Sequence, residues 1–244
     1  MLINVKVDYE NINFRIDREY PEIPVEFKDD MNNHWQYLIN KNPRVFNGEL
    51  YGSYSIATTD QSDYTVVLSR TNYKILSYIR SRNVYLKGGL SAGVGIILYE
   101  PSTDSFVLVE RSSEVEYGKN KLDLIGGFLD YSENNDIKSI LYDVAMTEIK
   151  EEATVKSILN KMKPVHIYYS YDSNKNLFLR FTFVVAAEIK VSTNWENNKI
   201  VKVPVKDFND FVKRNSVKFY INEIPEMVSM FSDKIANRYN INPY

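Results

Sequence analysis

The stretch LDLIGGFLDYSE, residues 122–133, joins an apolar run to two adjacent glycines and then to two acidic residues. The run LDLI predicts a short β-strand. A glycine pair at the end of a strand lets the backbone approach a ligand closely and frees a carbonyl oxygen as a ligand. Gly126 and Gly127 are equally consistent with a tight turn. The next element along the chain decides between these two interpretations.

The segment DIKSILYDVAMTEIKEEATV predicts a central helix over about 136–153. At about 100° per residue, four apolar residues define one face that is expected to be buried: Ile137, Ile140, Leu141 and Val144. Three glutamates continue the same face: Glu148, Glu151 and Glu152. Carboxylates at this spacing repel each other by a few tenths of a kcal/mol per pair on an exposed helix, and by more when buried. A bound cation is therefore expected.

Magnesium is the cation that these acids favour. Hard oxygen ligands from neighbouring carboxylates suit Mg²⁺, which keeps water ligands that a phosphate-bearing substrate can replace, and Mn²⁺ is the expected substitute. The alternative is that EIKEE is a solvated helix end, as most charge runs are. The glycine pair and the acids together favour the metal site over a turn and a solvated helix end.

Composition excludes several classes of protein. The chain has 244 residues, 44% of them hydrophobic, which is enough for the core of one large domain or of a domain with an extension. The net charge is −2 and the basic residues are scattered, so neither a nucleic-acid partner nor a membrane surface is expected. Cysteine is absent, which excludes thiol chemistry and suits a reducing compartment. The first twenty residues contain no hydrophobic block, so we expect a soluble cytoplasmic protein.

Histidine chemistry is also disfavoured, because the chain has only two histidines, His34 and His166. His34 lies on the flank of an amphipathic helix pattern around Trp35, and both histidines are interpreted as structural. Catalysis is therefore expected to depend on carboxylates.

The pattern of elements changes near residue 84. Residues 1–84 predict an α+β extension, with strands in INVKVDY, SYSIATT and YTVVLSR and helices around Trp35 and in TNYKILSYIRSR. Residues 85–244 predict an α/β sandwich with a mixed sheet. Its elements are the hairpin AGVGIILYE/SFVLVER, a strand in LDLIGG, the central helix, the strands VHIYYSYD, LFLRFTFVVAAEI and KIVKVPV, a helix near KDFNDFVKR and a closing helix in 224–240.

The two segments together resemble the signature of a known family, the Nudix hydrolases. Its box has the pattern Gly-x5-Glu, a helix, and Arg-Glu-apolar-x-Glu-Glu-x-Gly-apolar. Gly127 to Glu133 and TEIKEEATV, residues 147–155, are similar to it. The resemblance implies a Nudix fold and magnesium-dependent cleavage of a nucleoside-linked diphosphate. It also implies Glu148, Glu151 and Glu152 as metal ligands, the Gly126 carbonyl as a further ligand, and attack of water on phosphorus.

The chain departs from this box at three points. Thr147 stands where the box has arginine, and Thr154 stands where it has its last glycine. Thirteen residues rather than seven separate Glu133 from Thr147, which predicts an enlarged loop. The box arginine orients glutamates, so its replacement leaves the role of Glu133 open. The three metal-facing acids are retained, and activity is expected.

Further segments resemble one group within this family, the animal UDP-glucose and UDP-galactose hydrolases. These segments are HWQYLINKNPRVFNGELY, LSAGVGIILYE and VLVERSSEV, and the similarity extends from about Asp30 to Val212. It implies a nucleotide-sugar substrate and hydrolysis of a UDP-hexose to UMP and a hexose 1-phosphate.

Two residues are candidates for substrate binding. Arg111 follows a predicted strand beside the expected site, and its guanidinium fork suits a diphosphate, although it is equally consistent with an ordinary exposed arginine. Gly127 lies in the glycine pair. Two other functions stay open: hydrolysis of ADP-ribose, a dinucleotide or an RNA cap, and a Nudix-fold binding protein without activity. The sequence leaves the oligomeric state and the group that activates water undetermined.

Overall fold

The structure is a computed structural model that describes residues 5–9, 12–17, 19–58, 64–133, 136–153, 155–159, 162, 164–171, 175–189, 196–220, 224–225 and 228–229. The predicted α/β class is confirmed, because helices and mixed strands occur along the described chain. The chain divides into two compact units. The first contains residues 1–94, 128–144 and 165–181, and the second contains 95–127, 145–164 and 182–244. The predicted boundary near residue 84 stays a prediction.

Four α-helices lie within the described residues: α1 (Val25–Lys41), α2 (Tyr73–Arg82), α3 (Ile137–Ala153) and α4 (Phe208–Asn215). All four coincide with helices predicted from apolar periodicity. The closing helix predicted in 224–240 falls mostly on residues outside the described ones. Among the described residues, the longest apolar helical stretches are too short or too polar to cross a membrane.

The strands of the described chain are β1 (Val5–Asp8), β2 (Ile12–Ile16), β3 (Glu49–Thr58), β4 (Tyr64–Asn72), β5 (Gly93–Glu100), β6 (Ser105–Arg111), β7 (Leu122–Asp123), β8 (Val155–Ile158), β9 (Pro164–Tyr171), β10 (Leu177–Ile189) and β11 (Asn197–Pro204). Sequence analysis missed β2 and β8. Both are short, and each gains its backbone partner from a distant segment, β4 or β10, which local patterns do not report.

The first unit contains a three-stranded sheet in the order β2-β4-β3, in which β2 runs parallel and β3 antiparallel to β4. Residues of α1, α2 and β3 share one apolar cluster with the segment before β5: Met31, Leu50, Ile75, Leu76, Tyr78, Ile79, Leu86 and Leu90. His34 of α1 is buried, and its Nε2 lies 2.9 Å from the hydroxyl oxygen of Ser77. This contact agrees with a structural role for His34.

The second unit contains the predicted hairpin of β5 and β6, in which Leu98 lies opposite Val107. β6 also pairs with β11 and with the short strand β7, both antiparallel. The register places Asn197 opposite Arg111, so the end of β6 and the start of β11 lie side by side. The N–H of Ile96 donates to the carbonyl of Ile125 at 2.8 Å, which fixes the backbone just before the glycine pair.

Helix α3 buries a stripe that differs in part from the predicted one. Ile137, Ile140 and Leu141 are buried as expected, Val144 is only half-buried, and the stripe continues through Ala145, Ile149, Glu152 and Ala153. Glu148 is half-buried, whereas Glu151 is exposed. The expectation that all three acids continue the buried face is therefore wrong for Glu151. Ile149 and Ala153 are four residues apart and therefore lie on the same face of the helix. The buried stripe follows that face, and Glu151 lies outside it.

The longer spacing before Thr147 is mostly helix, as the helix predicted over about 136–153 requires. Of the thirteen residues between Glu133 and Thr147, residues 137–146 belong to α3, and residues 134–135 lie outside the described ones. The helix begins early because Asp136 caps it: its Oδ1 accepts hydrogen bonds from the N–H groups of Lys138 at 3.1 Å and Ser139 at 3.3 Å. Asp is a favoured residue at this position, since its carboxylate satisfies N–H groups that lack helical partners.

Replacing Asp136 by Ala should destabilise the protein, because two N–H groups of the first turn lose their acceptor. The expected loss is about 1 kcal/mol, or roughly 2 to 4 °C in Tm for a chain of this size. Asp136→Asn keeps an acceptor oxygen and serves as the control, with a Tm close to that of the wild type. Thermal unfolding followed by circular dichroism measures the difference. Equal Tm values for the Ala and Asn variants would contradict the capping role.

Candidate functional site

Glu152 is the central residue of the candidate site. It lies in the last turn of α3 with 4% of its surface exposed, and its Oε2 accepts a hydrogen bond from the Gly126 N–H at 3.4 Å. Burial raises the pKa of Glu152 well above its ordinary value, and the negative charge of Glu148 raises it further. The C-terminal end of a helix carries partial negative charge, which also disfavours a carboxylate there. The ionised form of Glu152 is therefore unfavourable at this position.

Gly127 makes room for the second acid, Glu148. A Cβ atom at Gly127 would overlap the carboxylate oxygen Oε1 of Glu148 and lie 2.6 Å from its Cδ. Any other residue at this position would displace the Glu148 carboxylate. The absence of a side chain at Gly127 thus has a steric reason, and the Gly-Gly pair is more than a turn.

Arg111 is held at the end of β6 by three neighbours. Its Nη1 donates to Oδ2 of Asp123 at 3.3 Å, and its Nε donates to the carbonyl of Tyr117 at 3.2 Å. Its guanidinium carbon lies 5.1 Å from the ring centroid of Tyr220. Asp123 is buried in β7, and its Oδ1 accepts from the N–H of Leu124 at 2.9 Å. The predicted substrate-binding arginine is thus an ordered, partly buried side chain.

Two residues at the start of β11 complete the surroundings of Glu152. Asn197 is buried, and its side chain lowers the pKa of Glu152 against the larger effect of burial. Burial also raises the pKa of Glu196, an effect that Arg111 opposes and Glu151 reinforces. The carbonyl of Glu196 accepts from the N–H of Ser112 at 2.6 Å, which fixes this segment beside the end of β6.

Sequence analysis missed three of these residues: Asp123, Glu196 and Asn197. Asp123 carries a detectable signal, since it is a charged residue inside the apolar run LDLI. The other two lie in a polar segment, NWENNK, that looks like an ordinary turn. Only the pairing of β11 with β6 places them next to Arg111. Glu133, whose role was left open, is exposed, and no role is assigned to it.

The carboxylates around Glu152 are chemically suited to a divalent cation, although they are not grouped into a preformed binding site. Three acids raise the pKa of Glu152: Glu148, Glu196 and Asp123. Arg111, the cation beside this group, is paired with Asp123. Crowded carboxylates are hard oxygen ligands of the kind that Mg²⁺ binds. Within the described part of the chain, however, no three His, Cys, Asp or Glu side chains are grouped closely enough to hold a metal ion.

No family model and no curated protein sequence matches this chain. Solved structures similar to it include a Nudix hydrolase from Nitrosomonas europaea, with 18% identity, a TM-score of 0.43 and coverage of 61% of this chain and 91% of that one. A Caenorhabditis elegans Ap4A hydrolase has 15% identity, a TM-score of 0.40 and coverage of 59% and 98%.

A third similar structure is the bifunctional NMN adenylyltransferase/ADP ribose pyrophosphatase of Francisella tularensis. It has 13% identity and a TM-score of 0.47, and the match covers 66% of this chain and 45% of that one. The solved structures similar to this chain thus include Nudix hydrolases. With TM-scores below 0.5, these similarities carry no argument about activity or substrate.

In metal-free protein, Glu152→Gln should stabilise the fold increasingly as pH rises. The folded state holds the Glu152 proton more tightly than the unfolded chain does, because its pKa is raised above the ordinary value of 4.5. The wild type therefore loses stability as pH rises from 4.5 towards the raised pKa, and glutamine removes this loss. Urea unfolding in EDTA at a series of pH values measures the difference.

The matched control is Glu188→Gln, which removes an exposed carboxylate on β10 and should change stability little at any pH. A Glu152→Gln variant that is less stable than wild type at pH 8 in EDTA would show that the buried carboxylate is compensated.

Gly127→Ala should reduce magnesium affinity while the fold survives. The added methyl group overlaps the Glu148 carboxylate, which is the end of a flexible side chain and turns away at little cost to the backbone. Gly48→Ala is the control, because its methyl group meets only the ring of the exposed Phe46. Isothermal titration with MgCl₂ and thermal melts of both variants provide the measurement. Unchanged magnesium binding in Gly127→Ala would remove Glu148 from the ligand set.

Proposed function

We propose that this protein is a magnesium-dependent pyrophosphohydrolase of the Nudix type. The observation that carries the proposal is the buried carboxylate of Glu152, held against the Gly126 N–H and crowded by the charges of Glu148, Glu196 and Asp123. A group in this position lowers the stability of the metal-free protein, which is typical of a side chain retained for function. Binding of a divalent cation would directly offset the repulsion among these crowded carboxylates.

In this proposal, Mg²⁺ would be held by Glu148, Glu151 and Glu152 together with the Gly126 carbonyl, which requires the three carboxylates to lie closer together than they do in the structure. The bound ion would neutralise charge that develops on the phosphates during hydrolysis. Glu152 is oriented by the Gly126 N–H, and Glu148 occupies the space that Gly127 leaves. Glu151 is exposed, so it is the ligand that solvent and substrate reach most easily. Arg111 presents a guanidinium to the phosphates, where its planar fork can make two parallel hydrogen bonds.

For the substrate, we propose a UDP-hexose, UDP-glucose or UDP-galactose, cleaved to UMP and the hexose 1-phosphate. The support is the similarity of three segments of this chain to UDP-sugar hydrolases. The partner is thus a small nucleotide sugar, and no nucleic acid or membrane is required. We also propose a cytoplasmic location, since a chain without cysteine suits a reducing compartment.

A comparison of substrates tests both the proposed enzyme class and the proposed substrate. With MgCl₂ present, UDP-glucose or UDP-galactose should give UMP and the sugar phosphate, with kcat/KM at least about tenfold above that of ADP-ribose. UDP alone should react slowly, because it lacks the sugar that contributes remote binding energy. Chromatography of the products gives the rates. Faster cleavage of ADP-ribose or a dinucleotide would reject the UDP-sugar assignment and keep the enzyme class.

Two variants provide the controls for this comparison. Glu152→Gln should reduce turnover by at least about a hundredfold, because the site loses charge stabilisation. Glu188→Gln should leave turnover unchanged, since it lies outside the proposed ligand set. If no diphosphate is cleaved at all, the proposed enzyme class is rejected. Equal loss in the two variants would contradict the site.

A further inference from the structure

Among the described residues, Arg111 uses only part of its hydrogen-bonding capacity. Its Nε and Nη1 each donate one bond, to the carbonyl of Tyr117 and to Asp123, and a guanidinium has five N–H donors. The Arg111 side chain is 24% exposed, so the remaining donors are within reach of a ligand. An arginine that binds phosphate with a fork must also hold its plane at a fixed angle. The two bonds, at 3.2 and 3.3 Å, lie at the long end of the hydrogen-bond range, so they hold that plane weakly.

Tyr220 supplies the missing constraint. Its ring lies under the guanidinium, 5.1 Å from the guanidinium carbon, within the range of a cation–π contact. The ring also packs against Gly118, where a Cβ would lie 2.5 Å from the ring atom Cδ2. Gly118 has a φ of +68°, which favours glycine and keeps this surface flat. Tyr220 therefore has little freedom to move away from Arg111.

The backbone on either side of the ring is fixed to β7. The N–H of Tyr220 donates to the carbonyl of Leu122 at 2.8 Å, and Phe219 forms a bridge with the same residue. The Phe219 ring packs edge-to-face on Phe211 of α4, with centroids 6.4 Å apart. Lys121 donates from Nζ to the carbonyl of Val217 at 2.6 Å. These contacts attach the segment 217–220, outside any α-helix or strand, to Lys121, to α4 and to β7, the strand that carries Asp123.

We propose that Tyr220 is a positioning residue that holds the guanidinium of Arg111 ready for a diphosphate. The proposal rests on the proposed function, in which Arg111 binds the substrate's phosphates. The ring restricts movement of the guanidinium before the ligand arrives, so binding does not have to order a long, flexible side chain. The bonds to Asp123 and to the Tyr117 carbonyl hold the edge of the guanidinium, whereas the ring limits its movement out of the plane.

The test is the affinity for methylenediphosphonate, a diphosphate analogue that cannot be hydrolysed, measured by calorimetry in MgCl₂. Tyr220→Leu removes the aromatic face and should weaken binding about tenfold. Tyr220→Phe keeps the face and should remain within about twofold of wild type. In an Arg111→Ala background, Tyr220→Leu should have no further effect, because its action passes through the guanidinium.

Three results would overturn the proposal: wild-type affinity in Tyr220→Leu, an equal loss in Tyr220→Phe, or an equal loss in the presence and absence of Arg111. Tyr220→Gln, which also lacks an aromatic face, replaces the Leu variant if thermal melts show that the latter does not fold. Because the readout is binding, it is independent of turnover. A chain that hydrolyses no diphosphate but binds the analogue through Arg111 and Tyr220 would reject the proposed function and keep this inference.

Discussion

The burial of one carboxylate, Glu152, is the constraint on which the rest of the site depends. A carboxylate with 4% of its surface exposed needs hydrogen-bond donors or cations, because burial without them costs several kcal/mol. The chain supplies one N–H from Gly126 and the nearby side chain of Asn197, which lowers the pKa of Glu152. It then places further negative charge nearby, on Glu148, Glu196 and Asp123. This arrangement is unfavourable for the metal-free fold and favourable for a site that receives a cation.

The glycine pair is explained by the same constraint. Gly126 brings a backbone N–H to the Glu152 carboxylate, and Gly127 leaves the space that Glu148 fills. The backbone before the pair is fixed by the bond between Ile96 and Ile125. The two glycines therefore act at different points: one through its backbone donor and one through the side chain that it lacks. A pair of glycines in a simple turn would need neither neighbour.

The sequence could predict the local part of this structure and little of the rest. Apolar periodicity located α3 to within a residue at each end. The burial of Glu152 follows from its position on the apolar face of this helix. The exposure of Glu151 was harder to predict. Ala145, Ile149 and Ala153 rotate the buried stripe about the helix axis by less than the angle between two consecutive residues. Glu196 and Asn197 could not be predicted, since only the pairing of two strands far apart in sequence brings them to Arg111.

Arg111 shows why a candidate residue has to be judged by its neighbours. In the sequence, an arginine at a strand end is equally consistent with an ordinary surface residue. In the fold it interacts with a buried aspartate, a carbonyl oxygen and an aromatic ring. Its bond to Asp123 compensates that aspartate's charge, so the pair adds little positive charge to the acids around Glu152. The excess of negative charge therefore persists although an arginine lies beside it, and a divalent cation remains the group that could remove it.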